Sequence, residues 1–282
     1  TGMQINYAEL GQGNNGRVLY KQFGRTASTS LRTRPPRWNL YNSLQTSLTR
    51  RFTGCCQMQA AYTFSKSLSY TGDFDLPVLR ATRNRNVSGY DRTHNLHMGW
   101  VVEAPFGPRK QWARQGFARL VLSGWQLNGI FSRYSGTPFT VSTSGTSLNT
   151  PGNTQTADQV KPEVQILGGT GRGQSYFDPF AFAPVTAVRF GTSGINILRG
   201  PGVANLDLGL FREFKPAEKW SIQFRAEAFN ATNTPHFSNP GTSVSSMQLN
   251  NDGTIRNLGG YTEITGAATD ERQIRFGLRI SF

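Results

Sequence analysis

Apolar and polar residues alternate one by one through seven stretches of this chain. The last stretch, residues 271–282, is the most regular. Ile274, Phe276, Leu278, Ile280 and Phe282 share one face, and Gln273, Arg275, Gly277, Arg279 and Ser281 share the other. Successive strand side chains point to opposite sides, so this period predicts a ribbon apolar on one flank and polar on the other. Residues 40–52 set Leu40, Leu44, Leu48 and Phe52 against Tyr41, Ser43, Gln45, Ser47 and Thr49. Residues 56–68 set Met58, Ala60, Tyr62, Phe64 and Leu68 against Gln57, Gln59, Thr63, Ser65 and Ser67. The remaining four predicted strands are 93–104, 123–134, 205–214 and 219–229.

The connections between these ribbons alternate in length. Residues 53–54 and 215–218 are tight turns rich in Gly and Pro, and 106–116 is somewhat longer. Between them lie long Gly/Ser/Asn/Pro stretches at 69–92, 135–203 and 230–270. Transmembrane β-barrels of bacterial outer membranes combine short periplasmic turns with long extracellular loops, on strands long enough to cross a bilayer when tilted. Parity then places Phe282 at the periplasmic end. Phe52, Phe214, Trp220 and Phe282 fall in the apolar phase at that end, as an interfacial aromatic girdle requires. The charges sharing the phase, Arg50, Lys66 and Arg212, lie near strand ends, where a long side chain reaches the interface. The expected fold is therefore all-β, an antiparallel transmembrane barrel segment of about seven or eight strands. A remnant of the eighth is expected at 2–10, and 1–282 is expected to be the carboxy-terminal part of one larger barrel domain.

Composition agrees. Only 37% of residues are hydrophobic, mean hydropathy is −0.44, and no apolar run approaches the length of a transmembrane helix. The formal charge is +14, from 30 Lys and Arg against 16 Asp and Glu. Basic residues cluster at Arg17, Lys21, Arg25, Arg32, Arg34 and Arg37, and again at Arg80, Arg83 and Arg85. Otherwise they are spread over loops and one strand face, which suits anionic lipid and lipopolysaccharide better than nucleic acid.

No catalytic constellation is legible, and no cofactor or metal site is expected. His94 and His97 fall on opposite faces of one strand, and His236 stands apart. Cys55 and Cys56 are adjacent and would face opposite ways in a strand, so neither metal ligation nor an easy disulfide follows. The run from Gly168 to Gly173 reads as a flexible loop, because no helix follows it to cradle a phosphate. The polar-phase charges Asp207, Glu213, Arg225, Glu227, Arg275 and Arg279 come from three consecutive strands. They form either an inner surface that meets a plug or a solute, or a cross-strand ladder of opposite charges that stabilises the wall.

Several tags bring a resemblance. Trp125-Gln126-Leu127-Asn128-Gly129-Ile130 followed by Ser135-Gly136-Thr137-Pro138-Phe139 is similar to a recurrent signature of Oar-like TonB-dependent transporter barrels. So are Leu198-Arg199-Gly200-Pro201-Gly202 before Asn205-Leu206-Asp207-Leu208, and Phe224-Arg225-Ala226-Glu227-Ala228-Phe229-Asn230. Tyr41-Asn42-Ser43-Leu44-Gln45, Asp91-Arg92-Thr93-His94 and the closing 275–282 extend the likeness. The resemblance implies a barrel of about 22 strands, plugged by an amino-terminal domain and driven by the TonB complex of the inner membrane. No leader, plug or coupling box is visible, so the chain is expected to be the carboxy-terminal third of such a barrel. It would take up an oligosaccharide, a siderophore or a similar nutrient, without covalent chemistry. A non-transporting adhesion or envelope barrel and a soluble carbohydrate-binding β-sandwich are the competing expectations.

The closing strand resembles the signal read by the barrel-assembly machinery, carried by Phe276, Leu278, Ile280 and Phe282. Deletion of Phe282 is expected to reduce the heat-modifiable barrel recovered from outer membranes several-fold, and unchanged assembly would refute that role.

Overall fold

The computed structural model describes residues 3–27, 29–31, 39–53, 55–69, 85–107, 110, 112–217 and 220–282. Each alternating stretch forms a strand. These are β1 (Leu40–Thr53), β2 (Cys56–Ser69), β3 (His94–Glu103), β4 (Trp125–Tyr134), β5 (Val203–Ala217), β6 (Trp220–Phe229) and β7 (Gln273–Ser281). Every strand pairs antiparallel with its neighbour in sequence, giving one meander that runs from β1 at one edge to β7 at the other. The sheet is open, since β1 and β7 do not pair with each other.

Register carries the alternation across the sheet. Leu44 faces Phe64, Ala60 faces Met98, Met98 faces Phe131, Phe131 faces Leu206, Leu208 faces Ala228, and Ala228 faces Ile274. Directly opposed residues share a face, so the apolar flank is continuous over all seven strands. Trp100 lies opposite Gly129, where an added Cβ would come within 2.1 Å of the indole, so the ring uses the space that glycine leaves. Among the described residues this flank is left open: Leu44 is 64%, Leu278 65% and Phe276 74% exposed. No second sheet packs on it among the described residues, which counts against the sandwich. A contiguous apolar surface of this extent marks an interaction with another apolar phase.

At the turn end of the sheet the aromatic rings gather. Trp220 and Phe282 lie 5.5 Å apart, Trp125 meets Phe224 edge-on at 6.3 Å, and the Arg212 guanidinium sits over Trp125 at 5.4 Å. Phe52 belongs to β1, but its side chain lies outside the described set. The turn between β3 and β4 holds a helix, Gly116–Leu122, that the alternation does not predict. Phe117 and Val121 are exposed on it, and the Trp125 indole N–H donates to the Val121 carbonyl at 3.0 Å, which holds the helix at the apolar rim. The first turn corrects another expectation. Cys55 precedes β2 instead of lying within a strand, and the two thiol sulfurs are 3.1 Å apart.

At the loop end the long connections fold. They contain the main buried cluster, with Phe139, Val141, Phe177, Phe182, Leu198, Val244, Tyr261 and Ile264. Phe177 is its hub, edge-on to Phe182 at 6.1 Å and to Tyr261 at 5.5 Å, and tilted against Phe139 at 5.7 Å. Burial pushes the Tyr261 phenol well above its usual pKa. The run Gly168–Gly173, expected to be a flexible loop, is instead tied down. Gly171 N–H donates to the Ile264 carbonyl at 2.9 Å, and Gly173 N–H donates to the Glu263 carboxylate.

Residues 3–27 and 29–31 also belong to this cap. The expected eighth strand does not form: Met3–Gln4 pairs with Ser30–Leu31 in a separate two-stranded unit, and residue 2 lies outside the described set. The segment closes around buried Asn6, which accepts from Leu19 N–H at 3.0 Å and donates to the Ala27 carbonyl at 2.8 Å. Arg17, expected in a basic clump, is buried against the Asn6 carbonyl at 2.6 Å. Arg32, Arg34, Arg37, Arg80 and Arg83 lie outside the described residues. Gly11 N–H reaches the Leu148 carbonyl at 2.9 Å, and Gly13 N–H reaches Asn149 O at 2.7 Å, docking the segment on the 146–151 turn.

Replacing Phe177 with Ala removes the hub, at a cost of about 3–5 kcal/mol. Protease sites within 135–202 are expected to open in the variant, while strand circular dichroism and heat modifiability of the sheet stay at wild-type values.

Candidate functional site at the cap–sheet junction

Three of the sequence tags meet where the strands enter the cap. Asp91, just before β3, is almost fully buried and accepts from Ser67 N–H of β2 at 2.5 Å. Its carboxylate also receives the Arg199 guanidinium, which donates besides to the Asp91 and Gly136 carbonyls at 3.2 Å each. Arg92 donates to the Ser135 carbonyl and stacks over the Tyr134 ring at 4.6 Å. Gly136 is packed so closely that a Cβ would sit 1.8 Å from the Gly200 carbonyl oxygen. Gly200 N–H donates to the Thr137 carbonyl at 3.0 Å, and the Thr137 hydroxyl reaches Asn239 Oδ1 at 3.2 Å. Residues from all three long connections are thus locked to the sheet rim by charge-assisted and backbone bonds.

Beneath that junction, the polar flank carries an open cavity of about 420 Å³. Asp207 forms part of its wall and is held by Asn205 Nδ2 at 2.9 Å and Asn230 N–H at 2.8 Å. Asn230, the residue after β6, can deliver that N–H because it turns the chain with φ of 48° and ties its side chain to both backbone groups of Thr234 at 3.0 Å. Arg275 stacks over the Phe229 ring at 5.0 Å and reaches Gln273 Oε1 at 3.4 Å. Tyr134, Asp270 and Glu271 complete the wall, so three carboxylates face one guanidinium. With no metal-like clustering of these groups, the arrangement offers hydrogen-bond acceptors and two aromatic faces. It can bind a polar solute.

A second cavity, about 410 Å³, lies on the same flank at the turn end. Glu213, Gln126, Gln223 and Phe211 form its strand wall. Lys110 of the β3–β4 turn reaches back to Glu103 at 2.6 Å and narrows it.

The six predicted polar-phase charges all lie on strands in the expected phase, but in different places. Asp207 and Arg275 meet in the upper cavity and Glu213 lines the lower one. Arg225 and Glu227 lie between, and Arg279 pairs in register with Gln223. They do not form an ionic ladder. Glu227 faces Arg275 in register, yet no ion pair joins any two of the six. Arg225 instead donates to Gln223 Oε1 at 2.9 and 2.6 Å and stacks over Phe211 at 5.7 Å, and Glu213 accepts from the Ser221 hydroxyl at 2.9 Å. An amide, a hydroxyl and an aromatic face take the place of opposite charges, within one strand for Arg225 with Gln223 and across the β5–β6 pair for Arg225 with Phe211 and Glu213 with Ser221.

Phe276, Leu278, Ile280 and Phe282 stand exposed on the apolar flank of edge strand β7. The histidines are dispersed: His94 bonds the Tyr62 hydroxyl at 2.8 Å, His97 bonds Ser132 at 2.9 Å, and buried His236 lies between Thr269 and the Ala204 carbonyl. Sequence reading missed Tyr134, Phe211 and Phe229 as wall residues. The signal was available, since each is an aromatic in the polar phase of its strand. Asp270 and Glu271 had no such signal.

A family model described as an outer membrane beta barrel domain matches residues 1–275. No curated protein and no solved structure gives a match.

Asp91→Ala strands the buried Ser67 N–H and half-frees Arg199, costing about 2–3 kcal/mol. Amide exchange across 198–202 is expected to rise by about a hundredfold. The Asp158–Arg189 pair is the control. The Arg189 fork holds the Asp158 carboxyl below its usual pKa, but Arg189 is half-exposed, so Asp158→Ala should cost under about 1 kcal/mol.

Proposed function

The chain belongs to the family of outer membrane β-barrel domains, and from that premise we propose that it is a wall segment of a TonB-dependent transporter for a bulky polar nutrient. It is an outer-membrane protein of a Gram-negative bacterium. In such a barrel the apolar flank meets lipid and the polar flank lines the interior. The short turns then face the periplasm, and the cap stands outside with lipopolysaccharide around its base.

The observation that carries this reading is the cavity bounded by Asp207, Tyr134, Phe229 and Arg275. It lies on the polar flank of the sheet, where Asn230, Thr269, Asp270 and Glu271 of the folded connections join its wall. A general diffusion pore has no need of a preformed polar pocket at its mouth. The reading includes further strands to close a barrel of about 22, and a plug through which the TonB complex drives uptake. The barrel-assembly machinery would receive the β7 edge by strand addition. An oligosaccharide or a siderophore-like chelate is the substrate class, and the chain does no covalent chemistry.

The cap's own buried core favours a second reading, in which the same barrel displays a folded surface for adhesion or envelope structure. Growth on a panel of sole carbon and iron sources separates the two. A deletion strain is expected to lose growth on one class of source, with recovery by the intact gene but not when the inner-membrane coupling complex is inactive. Normal growth with weakened surface attachment would overturn transport in favour of the second reading.

A further inference from the structure

The turn between β1 and β2 carries the chain's two cysteines side by side. Cys55 lies before the strand and Cys56 opens it, so the pleat does not separate their side chains, and the sulfurs approach to 3.1 Å. Both backbones are anchored. The Cys55 carbonyl accepts from Glu103 N–H at 2.8 Å, and Cys56 pairs with Thr53 on one side and Val102 on the other. Cys55 is exposed. Closure to a disulfide bond of about 2.05 Å needs the sulfurs to move by only about 1 Å. Neither side of an outer membrane shares the thiol pool that keeps cytosolic cysteines reduced, so this geometry meets an oxidising setting on whichever side the turn lies.

We propose that Cys55 and Cys56 form a redox-modified pair that closes to a vicinal disulfide by exchange with an external disulfide. One cysteine thiolate attacks a sulfur of the external RS–SR, forming a mixed disulfide and releasing one RS⁻. The neighbouring thiolate then attacks the protein sulfur of that mixed disulfide and releases the second RS⁻. The protein loses two electrons, the external disulfide gains them, and the two thiol protons end on two RSH. Adjacent Cα atoms stand about 3.8 Å apart across a trans peptide, closer than disulfides ordinarily span. The bond is therefore strained and reopens readily, as exposed, strained disulfides do. This makes the turn a reversible redox site at the end of the sheet opposite the cap, independent of the transport reading.

The test is peptide mapping of protein taken from outer membranes, quenched in acid and alkylated with N-ethylmaleimide. Trypsin releases residues 52–66, which contain both cysteines. The expected peptide carries no alkyl group and is two hydrogens lighter than the dithiol form. A mild glutathione buffer should convert it to the doubly alkylated peptide. Cys56→Ser is expected to abolish the lighter species. Two alkyl groups on the quenched, unreduced peptide, a disulfide-linked dimer, or resistance to glutathione would each overturn the proposal.

Discussion

The structure depends on a shared parity. Once Leu44 is set opposite Phe64, each following pair places apolar against apolar through to Ile274 on β7. A slip of one residue in any strand would turn its whole apolar set to the other flank, so the seven registers stand or fall together. The arginines on the apolar flank stand towards its margins. Arg212 reaches over Trp125 and Phe214 at the turn end, and Arg133, opposite Leu96 and Ala204, stands at the loop end. A charge in mid-strand on that flank would cost a few kcal/mol in a bilayer, and at its edge costs little.

Parity also explains where the water-excluding core of this protein lies. A sheet whose apolar flank is covered by lipid has no need of a second layer, so β1 to β7 contribute little to the buried cluster. The core sits in the connections, around Phe177 and Tyr261. The junction then couples two regions with different solvents. Asp91 and Arg199 bind each other at the rim, with Gly136 pressed against Gly200 between them, so the cap's position follows the sheet's. The pocket around Asp207 lies directly below and takes its shape from both.

Local alternation made the strands, their faces and the phase of all six polar-flank charges legible, because the period of two is written in neighbouring residues. Phe229 and Tyr134 were equally legible by parity and show that aromatics deserve the same bookkeeping as charges. The cap was not. Its bonds join residues such as Thr137 to Asn239 and Asn196 to Val87, about a hundred positions apart, through side chains that also occur in ordinary loops. The thiol pair was misread because strand geometry was applied one residue too far, into the turn.

By itself, then, the sequence determined which residues lie on the apolar flank and which on the polar flank, since that choice rests on side-chain period and on the hydrophobic effect acting strand by strand. The tertiary structure alone decided that the long connections are a folded cap, that Asp207 and Arg275 share a cavity while Arg225 and Arg279 do not, and that Cys55 meets Cys56. Those outcomes depend on long-range closure and on where a turn ends, and neither quantity is carried by any short run of residues.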